Sequence, residues 1–246
     1  MVVQACLNGN HPPNYHPNLP VTIQALVGDG RQVVAAGANE LHIHIRDKNG
    51  VESLHPDHVD ATMRALKAEL PGTLIGISTG AWIEKNDDRL LAYTARWRVR
   101  PDYASVNLSE TNAPALIERL HRLGVAVEAG LAQPADAKRL LALRLERFAL
   151  RILVEVGEQE PNHAQAVANE ILSVLRGSDA QKPILLHGTN ASAWPLLRCA
   201  IESGFSIRIG LEDVSTLPDG SAAESNAELV TAAFRLARAA IFSNRS

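Results

Sequence analysis

The stretch Leu41-His42-Ile43-His44-Ile45-Arg46-Asp47 holds the residues best suited to chemistry. It is too short and too β-branched for a helix. Side chains alternate faces along a strand, so His42, His44 and Arg46 share one face and Ile43 and Ile45 the other. Two imidazoles on adjacent pleats can reach one ion, and neutral imidazole suits zinc and other borderline divalent metals. The competing explanation is a pair of histidines hydrogen-bonded within a polar core. A catalytic zinc takes a third protein ligand and leaves one position open, so the elements around this strand must supply a further donor.

Composition narrows the classes. At 246 residues the chain fits one α/β barrel, residues 1–246 forming a single domain with one large core. Hydrophobic residues make up 46% and charged residues 21%, a globular balance, and the net charge of −3 with no basic run argues against nucleic-acid binding. Two cysteines, Cys6 and Cys199, make no disulfide framework. Nothing at the N-terminus reads as a secretory leader, so a reducing cytoplasm is the expected location. No apolar run approaches the ~18 residues that span a bilayer.

The elements alternate without interruption. Val2-Val3-Gln4-Ala5-Cys6-Leu7 reads as a strand, followed by a loop through Asn8-Gly9-Asn10-His11-Pro12-Pro13 and a helical pattern over 21–36. The HxHxR strand at 40–46 leads to a helix from Pro56 to Leu70, with proline where its missing donor costs nothing. A strand over 73–79 precedes a helix from an Asn86 cap to Trp97, and a strand over 103–109 precedes a helix over 114–123. Strands follow at 124–128, 150–156, 183–187 and 206–212. The helices between them start at Pro134 and cover about 162–176 and 192–203, and the last is opened by a Ser225-Asn226-Ala227-Glu228 capping-box pattern. Strict βα alternation forces a parallel sheet, and eight units with no large insertion predict a (β/α)₈ TIM barrel.

Parity along the strands supports closure. Ile43 and Ile45, Ile75 and Ile77, Val125 and Val127, Ile184 and Leu186, and Ile207, Ile209 and Leu211 form an aliphatic face toward the helices. The opposite parity carries Cys6, Asn8, His44, Arg46, Ser78, Asn107, Ser109, Glu128, Glu155, His187, Arg208 and Glu212 at the C-terminal ends, where barrel active sites are assembled. Desolvating so many polar groups with no partner would cost about 1–3 kcal/mol each. In a closed barrel strands 2 and 8 both flank strand 1, so Glu212 is the foremost third ligand. His187 is its rival, and an ion pair of Glu212 with Arg208 or Arg46 is the structural alternative. The histidines at 11, 16, 55, 58, 121 and 163 read as solvated. Trp82 and Trp194 either line a pocket or pack loops, packing being the commoner fate.

The segments Asn18-Leu19-Pro20-Val21-Thr22, Ala36-Gly37-Ala38, HxHxRD at 42–47, Ser78-Thr79-Gly80, Val127-Glu128-Ala129-Gly130, Arg208-Ile209-Gly210-Leu211-Glu212-Asp213 and Ser225-Asn226-Ala227-Glu228-Leu229-Val230 together resemble the β-keto acid cleavage enzyme family, in order over nearly the whole chain. The resemblance implies a zinc-dependent barrel, or one using another divalent metal, that reacts a β-keto acid with the co-substrate acetyl-CoA to give acetoacetate and a new acyl-CoA. It also implies a homo-oligomer, typically a tetramer. Carried over by residue, it makes His42, His44 and Glu212 the metal ligands and sets Ser78, Glu128, Arg208 and Asp213 around the reacting carbons, with Asp213 or Glu128 as the base. Arg46 or Arg208 would pair the substrate carboxylate. Asn8, Asn10, Thr79, Gly80, Asn107, Ser109 and His187 complete the expected substrate-binding set.

Two departures bear on the substrate. Asn8-Gly9-Asn10-His11 and Asn107-Leu108-Ser109-Glu110 replace the turns of relatives that take an amino substrate. Competing classes are a metal-dependent lyase or hydrolase that needs no CoA and a catalytically silent ligand-binding barrel. Hydrolase barrels with HxH on the first strand want histidines on strands 5 and 6, where this chain has Glu128 and Glu155.

Overall fold

The structure is a computed structural model that describes residues 1–178 and 181–243; residues 179–180 and 244–246 of the single domain expected over 1–246 lie outside it. Among the described residues eight parallel strands close into a barrel in chain order, each pairing with its sequence neighbours and the last with the first. They are β1 (Val3–Cys6), β2 (Glu40–Ile43), β3 (Leu74–Ser78), β4 (Tyr103–Asn107), β5 (Ala126–Leu131), β6 (Ala149–Val156), β7 (Ile184–Gly188) and β8 (Ser206–Ile209). The helices are α1 (Ile23–Ala35), α2 (Pro56–Glu69), α3 (Ala81–Glu84), α4 (Asp87–Thr94), α5 (Ala113–Arg122), α6 (Pro134–Ala142), α7 (Pro161–Arg176), α8 (Ala193–Glu202) and α9 (Asn226–Ser243). The (β/α)₈ expectation holds, with the short α3 and two 3₁₀ turns added.

Local chemistry explains the helix ends. Thr22 and Asn86 accept backbone N–H bonds at the starts of α1 and α4, and prolines open α2, α6 and α7. Ser225 Oγ accepts from Glu228 N at 3.2 Å, as a capping box requires. The Glu228 carboxylate, however, accepts from Glu224 N rather than from its cap residue. The aliphatic faces of β2, β3, β5 and β8 are buried against the helices.

Most strand boundaries differ by one to three residues from the sequence reading, and three of the differences have a clear local reason. β2 stops at Ile43 because the Asn8 side chain takes over the ladder, accepting from His44 N at 2.8 Å and donating to His44 O at 2.9 Å. β5 begins at Ala126, since Gly124 takes a positive φ of 74° and Val125 N returns to Leu120 O, closing α5. β8 ends at Ile209, and Gly210 lies so close to β1 that a Cβ there would sit 1.9 Å from Cys6 O. Glu212 and Asp213 therefore stand on a turn beyond the strand, held by Asp213 N and Val214 N bonding to Gly210 O.

Inside the barrel the lower layer is polar. Arg151 Nε donates to Glu128 Oε1 at 2.6 Å and its terminal nitrogens donate to Glu40. Gln4 Nε2 donates to Glu128 Oε1 and to Tyr103 Oη, and Tyr103 Oη donates to Leu41 O at 2.7 Å. Gly76 leaves room for the Tyr103 ring, which a Cβ would meet at 2.0 Å.

Candidate metal centre and active site

Above that layer, at the C-terminal mouth, β2 presents His42, the residue after its end presents His44, and the turn after β8 presents Glu212. Candidate ligand atoms of the three lie within 4.8 Å of one another. Glu212 Oε1 is 3.4 Å from His44 Nε2 and 3.8 Å from His42 Nε2. Ligand atoms sharing a zinc at bonds of about 2.0–2.1 Å would stand about 3.3–3.4 Å apart, close to both contacts of Glu212 Oε1. Glu212 Oε2 is buried without a partner among the described residues, which is the signature expected where a cation would satisfy it. Two imidazoles and one carboxylate thus fit a borderline divalent ion.

The electrostatics fit as well. Burial lowers His42 to about 3, against the pull of Glu212, so its imidazole is neutral and free to ligate. Burial also disfavours a proton on His44, but the Glu212 and Glu52 carboxylates overcome it and push that imidazole up to about 9. Burial would raise Glu212, yet the Arg208 guanidinium and the two histidines hold it well below the usual carboxylate range. Asp213 is the opposite: burial raises its carboxyl despite Arg208 and His187. Arg208 donates to Glu212 Oε1 and, at 3.3 Å, to Asp213 Oδ1, joining the ligand to its neighbour.

The cavity over this cluster measures about 150 Å³, and its walls include Asn10, His42, His44, Ser78, Trp82, Ser105, Asn107, Glu155, Thr189, Arg208, Glu212 and Asp213. That is smaller than the roughly 300–1,000 Å³ of sites for drug-sized ligands, so it suits a compact acid.

Not every expected site residue reaches it. Glu128 lies in the lower layer, fully buried and engaged by Arg151 and Gln4, and it does not line the cavity. Arg46 clasps loop carbonyls, donating to Gly9 O, His11 O and Gly50 O. Asn8 supports His44 through the backbone. Thr79 Oγ1 donates to Ser105 O, Gly80 starts α3, and Ser109 is exposed away from the cavity walls. His187 is no ligand of the cluster; it lies 1% exposed between Asp213 Oδ1 (3.5 Å from Nδ1) and Glu155 Oε2 (3.3 Å from Nε2). Burial raises the Glu155 carboxyl, but its bond from His187 outweighs this and leaves it ionised.

Other residues enter where the sequence reading assigned them nothing or something else. His11, read as solvated, stacks on Tyr15 with ring centroids 3.7 Å apart and bonds to Glu212 O at 2.9 Å. Trp82 lines the cavity, whereas Trp194 packs a loop and donates to Thr216 O. Glu52 accepts from His44 Nδ1 at 2.5 Å and from Trp82 Nε1 at 3.0 Å. The signal for Glu52 is Asn49-Gly50, a hairpin turn that folds residue 52 back beside Arg46.

A closed (β/α)₈ barrel with a His-His-Glu cluster and an Asp-Arg pair at its C-terminal mouth defines the class, a TIM barrel with a candidate divalent-metal site where barrel active sites are built. The chain belongs to the beta-keto acid cleavage enzyme family, whose model matches residues 1–115 and 147–242. The unmatched segment contains Glu128. Among its relatives, a 3-keto-5-aminohexanoate cleavage enzyme of Acetoanaerobium sticklandii is 21% identical over 256 residues, covering 97% of this chain and 92% of that protein. A 3-oxoadipate:acetyl-CoA acetyltransferase of Cupriavidus necator is 22% identical, covering 94% of this chain and 86% of that protein. In fold, the chain resembles ObcA in ternary complex with a C4-CoA adduct and oxalate, with a TM-score of 0.73 and 18% identity; the match covers 93% of this chain and 64% of that one. A 3-dehydroquinate dehydratase from Geobacillus kaustophilus superposes with a TM-score of 0.63 and 12% identity, covering 95% of this chain and 91% of that one.

Proposed function

We propose that this protein is a zinc-dependent enzyme that condenses a β-keto acid with acetyl-CoA and releases acetoacetate and a new acyl-CoA. The observation that carries the reading is the meeting of the His42-His44-Glu212 cluster with Asp213 and Arg208 in one small cavity, in a chain of this family. The acetyl-CoA part rests on the acetyltransferase relative. His42, His44 and Glu212 would hold a divalent ion, which would supply Lewis-acid chemistry to the bound acid.

Asp213 is the base that takes the C2 proton. Its Oδ2 is buried without a partner, its Oδ1 is held by Arg208, and it lines the cavity, whereas Glu128 is occupied below. The C2 carbanion attacks the acetyl carbonyl, forming a carbon–carbon bond and expelling the CoA thiolate. The thiolate attacks the original keto carbon, the bond from that carbon to C2 breaks, and the acetoacetate enolate takes the proton back from Asp213. Arg208 and Ser78 orient the reacting groups. Asn10, Asn107, Glu155 and Thr189 meet the acyl chain. Given the cavity's size, only the thioester end of acetyl-CoA enters it. Among the described residues no helix is long and apolar enough to cross a membrane. We assign the activity to the cytoplasm, with Cys6 and Cys199 as free thiols, and to a homo-oligomer, a tetramer by family resemblance.

The test is mass spectrometry of acyl-CoA species after incubating zinc-loaded protein with acetyl-CoA and a panel of β-keto acids, with His44→Ala as control. A new thioester that the control fails to make is the expected result. Acid consumed without a new thioester would replace the reading with a CoA-independent lyase. Zinc bound with no acid consumed would leave a silent binding barrel.

A further inference from the structure

Glu52 lies outside every motif of the strand ends, yet it touches both the metal cluster and the cavity wall. Its backbone is fixed by the hairpin over 46–52: Arg46 and Glu52 form an antiparallel bridge, Asp47 Oδ1 accepts from Asn49 N and Val51 N, and Arg46 clasps Gly50 O. The side chain is held inward, 13% exposed. Its two oxygens are divided between two donors, Oε1 taking His44 Nδ1 at 2.5 Å and Oε2 taking Trp82 Nε1 at 3.0 Å.

The tautomer follows from donor chemistry. With Glu52 accepting at Nδ1, the neutral ring that ligates a metal carries its proton on Nδ1 and leaves Nε2, turned toward Glu212 Oε1 at 3.4 Å, free to bind. Carboxylate partners of this kind fix ring orientation and raise ligand basicity at metal-binding histidines. The other oxygen holds the Trp82 indole, whose ring lies 6.4 Å from the His44 ring at an interplanar angle of 23°. Gly80 permits that placement, since a Cβ there would meet the indole at 2.2 Å.

We infer that Glu52 is a positioning residue that aims His44 Nε2 at the metal and ties that ligand to Trp82 in the substrate cavity. The inference rests on the metal-dependent reading above and names a coupling that reading does not contain: the state of the cavity wall and the geometry of one ligand share a single carboxylate. Glu52→Ala removes both halves. Glu52→Gln keeps an amide oxygen to accept from His44 Nδ1 but turns an NH₂ group toward the Trp82 donor, so it separates the two.

The experiment is zinc affinity by competition with a chromophoric chelator, the visible spectrum of the cobalt-loaded protein, and tryptophan emission during zinc titration, with Trp82→Phe identifying the Trp82 signal. Glu52→Ala is expected to weaken zinc binding about 10–100-fold and to alter the cobalt spectrum, while Glu52→Gln recovers affinity to within a few-fold. Zinc should change Trp82 emission in the unaltered protein, and Glu52→Gln should lose at least half of that response although it still binds zinc. Zinc affinity within twofold and an unchanged cobalt spectrum in Glu52→Ala would overturn the inference and leave the metal reading intact. If Glu52→Ala does not fold, an undiminished emission response in Glu52→Gln overturns it instead. Absence of zinc binding by the unaltered protein overturns both.

Discussion

Arg151 serves two buried carboxylates, Glu40 and Glu128, with side-chain exposures of 5%, 7% and 0% for the three groups. Taking charges out of water is expensive, and a buried cation removed from such a cluster leaves the anions uncompensated. Arg151→Ala is expected to destabilise the barrel by about 3–5 kcal/mol, read as a fall in the urea midpoint. Combining Arg151→Met with Glu40→Gln and Glu128→Gln should recover most of the loss. This pairing also explains why Glu128 is a poor choice of base. The sequence made it an inward carboxylate, correctly, but whether it faces substrate or a cation depends on which residue lies at its height on β6.

At the level of elements, small irregularities decide what faces what. Between β5 and β6 the register passes from Val127 opposite Ala149 to Glu128 opposite Arg151, which skips Leu150 and leaves it 41% exposed. Alternation read along the chain cannot detect a bulge of this kind. Gly210 is a second case: its approach to Cys6 O ends β8 and sets the Glu212 turn. Gly210→Ala is expected to destabilise by more than about 3 kcal/mol and to weaken zinc binding with it, checked by thermal melting and metal titration. A third junction joins α1, α9 and the β8 turn through Asn226, whose side chain accepts from Leu211 N and donates to Leu7 O and Asp29 Oδ2.

Burial raises Asp29 from 3.8 to about 6 despite that hydrogen bond. Between about pH 4 and 6 the unfolded chain loses this proton while the folded one keeps it, so stability falls as pH rises. The loss is complete above the folded value and amounts to about 3 kcal/mol at 1.36 kcal/mol per unit. Asp29→Asn should remove this component. Urea midpoints at pH 4.5 and 7 should then converge relative to those of the unaltered protein.

On the scale of the whole barrel, closure brings the two ends of the chain together. β1 lies between β2 and β8, so Asn8, His44, Glu212 and Asp213 meet although more than 160 residues separate the histidines from the acids. A metal bound at that junction would bind the folded state alone, since its ligands meet only there. At about 100 times its Kd, zinc should add about 2.7 kcal/mol, which for a domain of this size corresponds to a rise in Tm of about 5–10 °C. Differential scanning calorimetry with zinc and then with a chelator checks this, and His44→Ala should flatten the response.

Much of this was legible in the sequence, because alternation of strand and helix and of apolar and polar residues is a local property of the chain. The eight βα units, the HxH pair on one face and an acid at the end of the stretch read as the last strand follow from spacing, and in a barrel closed in chain order strands 2 and 8 both flank strand 1, which made Glu212 the foremost partner for His42 and His44. Distances along the chain do not encode height within the barrel or the direction of a loop side chain. Folding therefore assigned Glu128 to Arg151, Arg46 to loop carbonyls, His187 to the gap between two carboxylates, and Glu52 to His44 and Trp82. Those partners are set by register shifts, by a glycine pressed against a neighbouring strand and by a hairpin that folds back on its own strand, all of them non-local packing decisions.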